Sequence, residues 1–96
     1  MNIDTLFTEI ESLTSEEKMD SALDLLYDVT HQNLLNGYFE YCEDLFLDDR
    51  LYKNSQIAIA LLSITMPWRR KLVNRPTCIL KLESILDNKK ILSGLR

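Results

Sequence analysis

The chain has 96 residues, 46% of them hydrophobic and 27% charged, with 15 acids against 11 Lys and Arg and a formal charge of −4. This is the composition of one folded domain with a modest core, which excludes a disordered chain. Two cysteines and a single histidine, His31, exclude a disulfide framework and any CxxC or HxxxH metal site.

The charge is unevenly placed. Residues 1–49 carry 13 of the 15 acids and one base, Lys18, a balance of −12. Residues 50–96 carry 10 of the 11 bases and only Glu83 and Asp87 as acids, a balance of +8. Such a split describes how surfaces meet, within the molecule or between molecules.

Ile3, Leu6, Phe7, Ile10 and Leu13 repeat at helical spacing and predict a first helix with an acidic outer face, ending at Leu13–Ser15. The acids Asp4, Glu9 and Glu11 and the lack of a basic stretch argue against a signal peptide. Thr14 and Glu17 have the spacing of a capping box, so a second helix is predicted from about Ser15 to Leu35. Its apolar stripe is Met19, Ala22, Leu23, Leu26, Val29 and Leu34, widened by Leu25 and Tyr27, which makes it the central helix. Asn36-Gly37 supplies residues tolerant of positive φ for a tight turn.

A third helix is predicted over Tyr38–Phe46, with Phe39, Cys42, Leu45 and Phe46 inward, and Asp48-Asp49 breaks it. Leu51 and Tyr52 are expected to anchor the connection. Asn54 or Ser55 can cap a fourth helix from Gln56 to Thr65, whose apolar character all round predicts burial between neighbours. The apolar run Ile57–Trp68 is too short to span a bilayer, which takes about 20 residues. Pro67 is expected to stop the helix by excluding helical geometry from the residue before it. Trp68-Arg69-Arg70-Lys71-Leu72 then reads as a basic connection. A fifth helix follows from Pro76 to about Asn88, with Ile79, Leu82, Ile85 and Leu86 inward. Ile91, Leu92 and Leu95 remain apolar beyond it and suggest a terminal segment that covers a neighbour.

The segment Leu35-Asn36-Gly37-Tyr38-Phe39-Glu40-Tyr41-Cys42 resembles the turn of a tetratricopeptide-like helical hairpin. A glycine opens the turn, an aromatic follows two residues later, and a small residue follows five residues later. The resemblance covers about residues 22–46, with Cys42 in place of the usual alanine, and implies a protein-binding hairpin. No 34-residue period repeats it. More loosely, residues 22–86 resemble small helical bacterial and phage proteins without an assigned function.

The reading is an all-α fold: a five-helix antiparallel bundle of stacked helical hairpins, one domain over residues 1–96. Cys42 and Cys78 are expected as buried, reduced thiols, and the protein is expected in the cytoplasm. No catalytic, cofactor-binding or metal-binding set is legible. His31 reads as a helix-surface residue, and Asp20, Asp24 and Asp28 as one solvated helix face. The candidate partner-binding residues are Trp68, Arg69, Arg70, Lys71 and Arg75 on the basic side. On the acidic side they are Glu16, Asp20, Asp24 and Asp28. The expected function is a non-enzymatic protein-interaction module that self-associates through oppositely charged faces. One alternative is a small acidic inhibitor or antitoxin-like protein that occupies a basic, nucleic-acid-binding target. Another is nucleic-acid binding by the basic 68–75 loop, which an acidic chain disfavours.

Overall fold

The computed structural model describes residues 1–86. Five α-helices follow one another: α1 (Ile3–Ser15), α2 (Met19–Leu35), α3 (Phe39–Leu47), α4 (Ser55–Thr65) and α5 (Arg75–Leu86). Two 3-10 helices, Asp49–Lys53 and Met66–Lys71, connect α3 to α4 and α4 to α5. The described residues contain no strand. The fold is an all-α helical bundle, as the periodicity predicts.

Helix α2 is central. It packs on α1, α3 and α4, while α5 closes the bundle against α3 and α4. One apolar core runs through the elements, from Leu6 and Phe7 of α1 through Leu26, Leu45, Phe46 and Leu61 to Leu82 of α5. Helix α4 is enclosed by α2, α5 and both 3-10 helices, which explains its apolar character on nearly every face. Leu51 is fully buried, and the Tyr52 hydroxyl donates to the Phe46 carbonyl, so the first 3-10 helix is pinned to the end of α3.

The first two interhelical turns have the same construction. At the end of α2, Gly37 has φ +79°, its N–H donates to Leu34 O (3.1 Å), and the Tyr38 N–H donates to Asn33 O (2.8 Å). At the end of α1, Glu17 has φ +60°, its N–H donates to Thr14 O (3.2 Å), and the Lys18 N–H donates to Leu13 O (2.8 Å). Both are Schellman turns, in which a left-handed residue lets two amides satisfy carbonyls left open at the helix end. The match continues into the next helix: the residue five places on is Ala22 in one case and Cys42 in the other, both fully buried. The glycine–aromatic–small pattern of the second turn therefore has a counterpart in Glu17, Met19 and Ala22.

This overturns the capping box. Thr14 lies inside α1, and its hydroxyl donates back to Glu11 O (3.1 Å). Lys18 stands at the start of α2 with no side-chain cap. The proposed start of α2 at Ser15 is thus four residues early, because α1 continues through Ser15 before the turn.

Three further expectations are corrected. Tyr27 does not widen the buried stripe of α2; it is 48% exposed, and the fully buried Thr30 occupies the inward position instead. Pro67 does not drive its predecessor out of helical geometry: Met66 keeps φ −53° and ψ −47°, and the chain tightens into the second 3-10 helix with the proline in its first turn. Ile85 is 54% exposed, whereas Cys78 joins Ile79 and Leu82 inside α5's buried face. The expected end of α5 at Asn88 and the apolar residues Ile91, Leu92 and Leu95 lie outside the described residues, as does the Leu86 side chain.

Candidate interaction surface

Among the described residues, few ion pairs join the two halves of opposite charge. The Arg50 guanidinium meets Asp4 (2.6 Å) and Asp48 (2.7 Å), and Lys81 meets Asp49 (3.5 Å). A further pair, Lys18 with Glu16 (3.2 Å), is local to the α1–α2 turn. Arg50 also lies over the Phe7 ring, 4.9 Å from its centre, so one cation ties α1 to the end of α3. The three hydrogen bonds from Arg50 hold the Asp48 carboxyl below the usual carboxylate range.

The basic connection does not join this pairing. Arg69, Arg70 and Lys71 are exposed, and none reaches a carboxylate among the described residues. A 3-10 helix has three residues per turn, so residues three apart share a face and consecutive ones diverge. Lys71 accordingly stands beside Trp68, with its ammonium 5.9 Å from the indole and 5.4 Å from the Phe39 ring. Phe39 and Trp68 themselves meet at 6.0 Å, tilted by 46°. Arg69 turns toward the Met66 carbonyl (3.4 Å). Phe39 opens α3, directly after Gly37 and Tyr38, so the α2–α3 turn and the α4–α5 connection form one corner of the bundle. Tyr38 (64% exposed) and Leu35 (63% exposed) add apolar surface from that turn.

Arg75 is not part of this surface. Only 3% of it is exposed. Its guanidinium donates to Leu62 O (3.2 Å) and Thr65 Oγ1 (3.3 Å) and lies 3.6 Å from the Met66 sulfur. It binds carbonyl and hydroxyl acceptors at the end of α4, where the helix dipole favours a cation. Burial lowers its pKa from the ordinary arginine value. Its place is structural: it fastens the start of α5 to the end of α4 and fixes both ends of the cationic connection between them.

On the acidic side, Asp20, Asp24 and Asp28 are exposed and make no ion pair among the described residues. Glu16 sits before them in the turn. At 1.5 Å per residue the three aspartates extend over about 12 Å of α2. The face holds more than carboxylates. Tyr27 and His31 fall on it at helical spacing, and their rings stack at 5.1 Å with planes 11° apart. The pair is not evident from the sequence, where Tyr27 fits the inward stripe of α2 and His31 stands alone as the one histidine. Their i, i+4 spacing was the available signal.

Elsewhere, Cys42 and Cys78 are buried free thiols. Burial pushes Cys42 up to about 12 and Cys78 up to about 11, so both stay protonated and are poor nucleophiles near neutral pH. A surface groove of about 620 Å³ between the start of α1 and the end of α3 is lined by Asp4, Tyr41, Asp44, Asp48 and Arg50, among others. Its one cation is already held by two of its carboxylates. No helix among the described residues is long and apolar enough to cross a membrane. No protein-family model, curated protein or solved structure matches the chain.

Proposed function

We propose that this chain is a non-enzymatic protein-interaction module that self-associates through oppositely charged faces. One observation carries the reading: the α2 aspartates and the Arg69–Lys71 cations are both exposed and both without opposite-charge partners among the described residues. Like charges gathered on one patch repel and cost stability, and a partner of opposite sign relieves that cost. Each patch also has an aromatic centre, Tyr27 on one and Trp68 on the other, and Tyr, Trp and Arg are the residue types that anchor interfaces. The hairpin of α2 and α3 resembles tetratricopeptide hairpins, which bind protein, and this supports the same reading. So do the buried, protonated thiols and the histidine stacked on a tyrosine, which offer no activated nucleophile. Small-angle scattering over a concentration series at low salt tests it. The expected result is a radius of gyration that rises with concentration above the value for a single chain. A constant single-chain value at every concentration refutes it.

A second reading, a small acidic inhibitor or antitoxin-like protein that blocks a basic, nucleic-acid-binding target, uses the same α2 face. The continuity of Asp20, Asp24 and Asp28 on one helix favours it. Under that reading the purified protein stays monomeric but binds a cationic helical peptide in a salt-sensitive way. Failure to bind such a peptide at low salt refutes it.

A further inference from the structure

The self-association reading can be sharpened to a specific contact. We propose that the α2 face centred on the Tyr27–His31 stack docks on the Trp68–Arg69–Arg70 corner of a second copy of this chain. The proposal rests on the self-association reading and names the two surfaces that meet.

Three features of the structure support the pairing. First, the charges are complementary: three carboxylates along α2 match three cations at the corner, and neither set is paired with opposite charge among the described residues. Second, the two surfaces stand on different elements: the aspartates and the Tyr27–His31 stack lie on α2, whereas the cations lie on the 3-10 helix Met66–Lys71 between α4 and α5, and the two adjoin where Asp28 and Tyr38 line one groove. One chain can therefore offer both surfaces at once. Third, both surfaces have a fixed aromatic centre. Tyr27 is 48% exposed and held by its stack on His31. Trp68 is half-buried and held by Phe39 and Lys71. Rings that are already positioned lose little freedom on docking. A contact of this kind resembles a small interface with an apolar centre and a charged rim. Its association rate and salt response come from the rim.

The experiment uses two full-length variants, each with one surface neutralised. One carries Asp20→Asn, Asp24→Asn and Asp28→Asn; the other carries Arg69→Gln and Arg70→Gln. None of these side chains is buried, and circular dichroism checks that both variants fold. Light scattering at low salt is then read on the wild type, on each variant alone and on their equimolar mixture. The expected result is association of the wild type, at least tenfold weaker association of each variant alone, and a 1:1 complex of twice the 11.2 kDa monomer mass in the mixture. The mixture recovers because the intact corner of the first variant meets the intact α2 face of the second. A wild type that associates while the mixture stays monomeric overturns this contact and leaves the self-association reading standing. Variants that associate as strongly as the wild type also overturn it. A monomeric wild type overturns the reading beneath it.

Discussion

Glu17 and Gly37 occupy the same left-handed position in two turns of the same construction, and this allows a controlled test of the fold. Placing an ordinary L-residue in left-handed geometry costs about 1–2 kcal/mol, because its Cβ crowds the adjacent carbonyl. Glycine escapes that cost but loses about 0.5–1 kcal/mol more chain entropy on folding. The difference leaves glycine ahead of alanine by about 1 kcal/mol at such a site, the reverse of their order inside a helix. At Gly37 an added Cβ meets nothing within 4 Å, so steric clash does not enter and the cost is backbone strain alone. Gly37→Ala should therefore lose about 1 kcal/mol, which for a domain of this size is a fall in Tm of about 4–8 °C. Comparing Glu17→Gly with Glu17→Ala removes the charge in both and should give the same interval in the same order, glycine being the more stable. Urea unfolding followed by helicity and by Trp68 fluorescence supplies the numbers. If alanine equals or exceeds glycine at position 17, the twin-turn account is wrong.

Three further outcomes follow from the geometry. The Thr30 hydroxyl is buried with no hydrogen-bond partner among the described residues, so Thr30→Val should be neutral or stabilising by up to about 1 kcal/mol; a clear loss of stability in urea unfolding refutes this. Arg75→Met removes the guanidinium donor from Leu62 O and Thr65 Oγ1 and should cost about 1–3 kcal/mol while shifting Trp68 fluorescence, since the cationic connection loses an anchor; unchanged stability refutes the structural assignment. The Asp48 carboxyl has a lower pKa folded than unfolded, so it contributes stability above its ordinary value of about 4 and loses that contribution as pH falls toward its folded value. Asp48→Asn should therefore flatten the fall in Tm below about pH 4, and an unchanged acid profile contradicts the pairing with Arg50.

The helices were legible because burial imposes periodicity: the stripe from Ile3 to Leu13 and the all-apolar run from Ile57 to Leu62 left little choice. Gly37 announced its turn because glycine tolerates positive φ. Its counterpart was hidden because Glu17 has no such preference, and Thr14-Ser15-Glu16-Glu17 imitates a capping box at the point where α1 in fact ends in a Schellman turn. The corner was half legible. Trp68, Arg69, Arg70 and Lys71 could be picked out by residue type, but their divergence depends on the 3-10 winding. That winding contradicted the usual effect of a proline on the residue before it. Arg75 looked like another loop cation. Its burial follows from acceptors ten to thirteen residues earlier in the chain, a relation that only the packing of α4 on α5 creates. The partnership of Tyr27 with His31 was local, yet a tyrosine fits an apolar stripe as readily as an exposed face.

If the two charge patches find their partners between copies, the mass in solution must respond to salt. Light scattering should be read at ~10 mM salt, where charges interact over about 30 Å, and at ~1 M, where the range is about 3 Å. Between-copy pairing gives a mass above 11.2 kDa at low salt that rises with protein concentration and returns to 11.2 kDa at high salt. A mass of 11.2 kDa at both salts and all concentrations contradicts it.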